Sequence, residues 1–386
     1  MEDRYRTMIY LTASLLLGFL VVLLGTPYSR KYLAASGLFA VDQQKPEKPR
    51  LPSSGGIVVL FGFIVSITSY LAFSAFVKLP EIDTAVTLAA LNSAVIIGLI
   101  GLLDDIHVNL EAVVTDHFEL EEDEVDLEID HEFGIESLPH QDVFRRLMGN
   151  FNSSEDSDEM LREGLGQVPK MLFVLPAALP LIAVGAGSWS MTFPVIGTVN
   201  WGLLYPFLLL PVGLLFVANV VNMLAGTNGL SAGMSFVAST ALGVYALINQ
   251  ELAAALIAFS LGASLLAFLR YNFHPASIMP GDVLPYLAGA AMFSSMVVGN
   301  MEKFGVFIFA PWFLEFFLKL RSGFSAHSWG KLSRDGTLEP QHEKNYSLTH
   351  PLMRQGFTER QVTLALVGME TLICALGLFL FTRGIL

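Results

Sequence analysis

Asn219-Val220-Val221-Asn222-Met223-Leu224-Ala225-Gly226-Thr227-Asn228-Gly229-Leu230 lies between two strongly apolar runs, about 202–222 and 231–248. Each run is near the length that crosses a bilayer, about 20 residues. The quoted stretch is therefore a turn at a membrane face. Asn219 and Asn222 are three residues apart and share one face of the preceding helix. Their amides are neutral oxygen-bearing ligands, suited to a hard cation or a sugar. Gly226 and Gly229 let the backbone turn tightly or approach a ligand closely. A polar cluster beside hydrocarbon is costly and points to a task there.

Outward from this stretch the apolar pattern recurs along the chain. The 386 residues are 53% hydrophobic and 15% charged, whereas soluble domains carry roughly a quarter charged residues. Ten runs approach span length: about 7–26, 55–77, 84–103, 170–187, 202–222, 231–248, 252–269, 283–300, 303–320 and 361–382. The expected fold is an all-α polytopic membrane protein with about ten transmembrane helices. The first run is too long for a cleaved signal peptide, and no small-residue cleavage pattern follows it. Cys374, the only cysteine, falls inside the last run, so no disulfide within the chain is expected.

Orientation follows from Lys and Arg. With the N-terminus outside, 17 of the 22 basic residues fall on inner segments and 5 on outer ones. Cytoplasmic loops carry such an excess, so N-out and C-out is expected, with the active site on the cytoplasmic face. The outer loops are short; the inner ones are long and rich in Gly, Pro, Asn and charge. The net charge of −13 is local, because residues 106–166 hold 18 acids against three arginines. The expected organisation is 1–105, helices 1 to 3; 106–166, an acidic cytoplasmic insertion; and 167–386, helices 4 to 10 with catalytic cytoplasmic loops. The insertion reads as a solvated, partly disordered excursion, with a small lid or partner-binding segment as the alternative. Its histidines, His107, His117, His131 and His140, lack metal-site spacing and read as surface residues.

Four inner segments set polar residues against apolar spans. Asp104-Asp105 ends the third run. Paired acids create a base or hold a divalent cation; the alternative is a polar helix stop, which the helix dipole disfavours. The asparagine stretch is the second segment, with a helix-capping loop as its alternative. The third runs from Asn272-Phe273-His274-Pro275 to Met279-Pro280-Gly281-Asp282-Val283. An acid at a helix N-terminus is favourable by itself, so Asp282 also reads as a cap. The fourth holds His327, Lys331, Arg334, His342 and Lys344, either a phosphate clamp or ordinary positive-inside charge. Together, carboxylates, amides and basic groups on one face suit a magnesium-diphosphate substrate, since magnesium takes one or two protein oxygens plus substrate phosphates.

These segments resemble the polyprenyl-phosphate N-acetylhexosamine-1-phosphate transferase family. The likeness lies in Asp42–Gly56, Gly101–Asp105, Asn219–Gly233 and Leu269–Gly289 and leaves out the acidic insertion. Ala225 and Asn228 stand where the bacterial branch usually has aspartates, as in the dolichol branch of eukaryotes and archaea. The resemblance implies that Asn222 and Asp282 hold magnesium, with manganese as an alternative. It places Asp104 and Asp105 at the polyprenyl-phosphate side, with Asp104 orienting or deprotonating the attacking phosphate. Lys170 matches a lysine near the acceptor phosphate. Asn228 and Gly281 line the nucleotide pocket, and His327, Lys331 and Arg334 belong to a basic loop around sugar and diphosphate.

The chain departs from the family pattern at several positions. Ala326 and Ser328 flank His327 where arginines are usual. Met279 replaces an aromatic, Ser53 replaces a glutamate after Leu51-Pro52, and Asn109 is one residue off the usual spacing. The implied reaction is transfer of an N-acetylhexosamine 1-phosphate, GlcNAc 1-phosphate in the dolichol branch, from a UDP-sugar to a polyprenyl or dolichyl phosphate with release of UMP. It would be the first membrane step toward lipid-linked oligosaccharide for protein N-glycosylation. The implied partners are a UDP-N-acetylhexosamine, the lipid phosphate, membrane lipid and a second copy in a homodimer, with no nucleic acid. The membrane is the plasma membrane for an archaeal source and the endoplasmic reticulum for a eukaryotic one. The alternatives are a bacterial-type transferase for cell-wall or polysaccharide precursors, and a nucleotide-sugar or lipid transporter. Transporters place ionisable groups near the bilayer midplane, whereas these acids lie at helix ends.

Overall fold

The computed structural model describes residues 2–77, 79, 82–106, 174–193 and 197–385. Lys170, Asn109, the four insertion histidines and the insertion beyond Ile106 lie outside these residues.

Helices account for nearly all of the regular structure. In chain order they are α1 (Glu2–Ala35), α2 (Gly56–Val77), α3 (Thr84–Asp105), the short α4 (Leu179–Ala183), α5 (Leu210–Met223), α6 (Leu230–Ile248), α7 (Leu252–Asn272), α8 (Val283–Val298), α9 (Glu302–Ile308), α10 (Ala310–Leu320), α11 (Thr349–Arg354) and α12 (Glu359–Thr382). Among the described residues, seven segments, one of them α5 with the turn before it, are long and apolar enough to cross a membrane. Together with the family relationship below, this makes the chain a multi-pass membrane protein.

Among the described residues, three of the ten apolar runs form helices that are divided or short. The run 303–320 divides into α9 and α10, because Pro311 lacks the N–H that a continuous helix needs there. The run 170–187 is described only from Val174, as a 3-10 turn (Leu175–Ala178) followed by α4, each with a proline in its first turn. The run 283–300 forms α8, a helix of only 16 residues.

α8 is the centre of the bundle. Every residue from Val283 to Val297 is buried, as expected of a helix that is apolar all round. It packs against α2, α3, α5, α6 and α7. By contrast, α1 and α12 bury little of their length and face outward with leucines and aromatics such as Leu24 and Phe379. α6 and α7 pack along each other through buried Ala, Ser and Gly, small residues that let helices approach. The N-terminus of α8 therefore opens at the middle of one end of the bundle, which makes Asp282 central.

The fold is all-α as expected, and among the described residues three short two-stranded antiparallel hairpins accompany the helices: β1–β2 (Phe39–Val41, Arg50–Pro52), β3–β4 (Ser190–Phe193, Gly197–Asn200) and β5–β6 (Gly330–Leu332, Leu338–Pro340). The first and third belong to the end of the bundle that carries the asparagine stretch.

Candidate active site

A cavity of about 790 Å³ opens at that end. The loop after α7 is one wall. Ile278 O accepts the Asn272 side-chain amide at 3.0 Å, and Tyr271 O accepts the Ser277 N–H at 2.8 Å. The loop is then stitched to the end of β2: Met279 N donates to Pro52 O, Gly55 N to Met279 O and Gly56 N to Pro280 O. These bonds deliver the chain rigidly into α8.

Asp282 occupies the N-cap position of α8, yet its side chain makes no capping hydrogen bond. The backbone N–H of Asp282 is taken up by Asp105 from α3, whose Oδ1 accepts it at 2.8 Å. Two glycines permit this contact. A Cβ on Gly101 would lie 2.7 Å from Asp282 O, so only glycine lets α3 come this close. Gly281 has φ +64°, and a Cβ there would lie 2.1 Å from Asp105 Oδ2. Asp104, one residue earlier, is buried and lines the cavity together with Asp105, Gly281 and Asp282.

The opposite wall comes from the asparagine stretch. Asn222 and Asn228 line the cavity. Asn219 does not, and is held inside the protein: its Nδ2 donates to Leu215 O at 2.8 Å and its Oδ1 accepts from the Tyr286 hydroxyl at 3.3 Å. The Tyr286 hydroxyl also sits beside Asn222, Asp282 and Asp104. Met279 and Ser53, standing for the family's aromatic and glutamate, are lining residues too.

Asp42 and Glu359 are two buried lining acids that the sequence reading did not single out. Asp42 follows β1 and Glu359 opens α12. Lys45 bridges them, 3.4 Å from Asp42 Oδ2 and hydrogen-bonded to Glu359 Oε2. His274 Nδ1 lies 3.1 Å from the same Glu359 oxygen. A buried ion pair is costly to break from one side, so the network ties β1–β2, the α7–α8 loop and α12 together. One sequence signal for Glu359 was available. Thr358 and Gln361 form a capping box ahead of an apolar run, which fixes the helix start at Glu359.

The basic loop has a different placement. His327 is exposed, with its ring 5.0 Å from that of Trp329, and it is Trp329 that lines the cavity. Lys331 and Arg334 are exposed on the β5–β6 hairpin and do not reach the lining. Buried contacts pin the loop. Glu315 of α10 accepts from Leu348 N (2.7 Å), Ser347 Oγ (3.1 Å) and Ser328 Oγ (3.4 Å). His350 Nδ1 accepts the Tyr346 N–H at 3.2 Å, so Nε2 carries the proton and donates to His327 O at 2.9 Å. Burial pushes the His350 imidazole below its ordinary range. Ala326 and Ser328, which flank His327, are 4% and 6% exposed.

Of the ten expected site residues, the cavity thus brings together Asp104, Asp105, Asn222, Asn228, Gly281 and Asp282. Its described lining contains five acids and no Lys, Arg or His. Among the described residues, no group of three or more His, Cys, Asp or Glu is arranged to hold a metal by itself. Carboxylate and amide oxygens in such a wall fit a hard cation that completes its shell with substrate phosphates.

The sequence profile of Glycosyl transferase family 4 matches residues 155–300. A protein of Saccharolobus solfataricus, provisionally named a UDP-N-acetylglucosamine–dolichyl-phosphate N-acetylglucosaminephosphotransferase, is 30% identical over 96% of this chain and 97% of its own length. The chain belongs to the polyprenyl-phosphate N-acetylhexosamine-1-phosphate transferase family. Within this family, the enzyme of the same name from Schizosaccharomyces pombe is 27% identical over 47% of each chain. A phospho-N-acetylmuramoyl-pentapeptide-transferase of Moorella thermoacetica is 36% identical over 34% of this chain and 41% of its own. The dolichol-type relationship thus runs the length of the chain, while the bacterial-type one covers a third of it.

Proposed function

We propose that the protein transfers GlcNAc 1-phosphate from UDP-GlcNAc to a dolichyl-type polyprenyl phosphate, releasing UMP. A lipid phosphate oxygen attacks the β-phosphorus of the nucleotide sugar, the bond from that phosphorus to the bridging oxygen breaks, and UMP departs with the electron pair. The reading rests on one observation: Asp104, Asp105, Asn222, Asn228 and Asp282, from three separate segments, line one cavity at the end of a membrane bundle related over nearly its full length to dolichol-type relatives.

Two phosphates must meet in a wall of acids. Charge neutralisation therefore dominates the barrier. A bound magnesium ion would supply it, and Asn222 and Asp282 are the residues proposed to hold it. Asp104 is proposed to orient the acceptor phosphate. Asp105 fixes the α8 terminus beneath them. His327, Lys331, Arg334 and Lys170 remain proposed contacts to phosphates and sugar from outside the described lining. The relatives matched over nearly the full length come from Saccharolobus and Sulfolobus, which supports a plasma-membrane site.

The test is purified protein with polyprenyl phosphate, magnesium and a panel of radiolabelled UDP-sugars. UDP-GlcNAc is expected to give lipid-linked product, and chelation is expected to stop it. Preference for a muramyl-pentapeptide nucleotide would establish the bacterial-type reading, and turnover undiminished by chelation would remove the metal.

A further inference from the structure

Ser328 joins two parts of the site that lie 105 positions apart in sequence. Its side chain is buried, and its hydroxyl donates to Met223 O at 3.2 Å, with Glu315 Oε1 as a second acceptor at 3.4 Å. Its own carbonyl accepts from Thr349 Oγ1 at 2.6 Å. Met223 is the last residue of α5. The final carbonyls of a helix have no partner within it, so Ser328 caps α5 from a distant loop. A second contact lies beside the first. Gly226 has φ +123°, and a Cβ there would lie 2.9 Å from Ser328 C and from Trp329 N. Glycine thus lets the loop backbone rest on the turn after α5. Asn222 precedes Met223 and lines the cavity; Trp329 follows Ser328 and lines it too. One hydroxyl therefore ties together two lining residues from separate walls. Ser328 stands where the family usually has arginine, so the family pattern assigns this hydroxyl no role.

We infer that Ser328 is a positioning residue for the metal: by capping α5 it holds Asn222 in the conformation that binds the cation. The inference rests on the proposed assignment of magnesium to Asn222 and Asp282. It adds what that assignment leaves open, how a ligand on the last turn of a helix is kept in place. Helix ends fray. Without the cap, part of the population holds Asn222 out of place, and the apparent affinity for the cation falls with the competent fraction. Asp282 needs no such latch, because Asp105 already accepts its N–H. Glu315 of α10 anchors the loop behind the cap. Its other oxygen accepts from Leu348 N at 2.7 Å and Ser347 Oγ at 3.1 Å, and neither of those bonds reaches α5.

The test reads manganese binding by the full-length purified protein, from the loss of the free-ion electron paramagnetic resonance signal. UDP-GlcNAc is present and polyprenyl phosphate is withheld, so that no turnover occurs. In Ser328→Ala the dissociation constant is expected to rise about fivefold, the scale of one lost hydrogen bond. Ser347→Ala removes a bond to the same glutamate and leaves α5 capped. It is expected to lower the unfolding temperature and to keep wild-type manganese binding. Wild-type binding in Ser328→Ala overturns the inference. Equal weakening in Ser347→Ala also overturns it, by making the whole loop responsible rather than the cap. If Ser328→Ala does not fold, Ser328→Cys takes its place: the thiol is a weaker donor, so weakened binding is expected and wild-type binding contradicts the inference. These outcomes leave the proposed transfer standing. Weakened manganese binding in Ser328→Ala, with no lipid-linked product from UDP-GlcNAc in the wild type, overturns the transfer and keeps the cap. A wild type that binds no manganese yet releases UMP removes the metal and the inference with it.

Discussion

Asp105 Oδ1 accepts the backbone N–H of Asp282 at 2.8 Å, so the end of one span caps the start of another. The contact sets Asp104, the neighbour of the acceptor, beside Asp282, the neighbour of the turn at Gly281. Asp105→Ala leaves the Asp282 N–H without a partner and is expected to lower stability by about 1–3 kcal/mol. It should lower turnover as well, through the misplaced Asp282. Asp105→Asn retains an acceptor oxygen and should keep more of both. Gly281→Ala should resemble Asp105→Ala, because its Cβ meets Asp105 Oδ2 and its φ is +64°. Thermal unfolding and UMP release check all three variants; wild-type behaviour in Asp105→Ala would show that the cap contributes nothing.

Asp282 stands at the N-cap position of α8 without a side-chain capping bond, and it lines the cavity with Asp104. Asp282→Asn and Asp104→Asn are each expected to cut UMP release by at least about 100-fold, with unfolding temperatures near wild type. Normal turnover in either folded variant removes that residue from the reacting site.

Much of this arrangement was legible in the chain. The apolar runs located the spans, and the polar residues at their inner ends located six residues of the cavity. Two kinds of feature were not. Strands of three residues, such as Phe39–Val41, are too short to show alternation. The Asp42–Lys45–Glu359–His274 network is closed by Lys45 and Glu359, 314 positions apart in sequence, and each member alone reads as an ordinary loop or helix-end charge. The division of 303–320 at Pro311 was visible as a proline but masked by the hydrophobicity around it.

His350 is held neutral, with its Nδ1 accepting an N–H and its Nε2 donating to His327 O. Its folded pKa lies below the ordinary value because it is buried. An unfolded histidine takes up its proton near about 6.5. The stabilisation is therefore complete above about 6.5 and is lost as pH falls through the lower folded value, by at most about 1.4 kcal/mol per pH unit. Unfolding temperature in detergent is expected to fall below about pH 6.5 in the wild type, and more shallowly in His350→Gln. Identical pH profiles would refute this role.

Residues 112–160 lie in the acidic insertion, outside the described residues. Their deletion is expected to leave UMP release within about tenfold of wild type, the scale of a modest change in barrier. A well-folded deletion with no activity would make the insertion part of the site.

The position of one phosphorus atom separates phosphoryl transfer from glycosyl transfer. UDP-GlcNAc labelled with radioactive phosphorus at the β-position is incubated with purified protein, magnesium and polyprenyl phosphate, and the lipid is extracted. For phosphoryl transfer the label is expected to enter the lipid as a diphosphate, one atom for each UMP released. Label left in water-soluble UDP, or intact UDP-GlcNAc carried across vesicles without UMP, would contradict it.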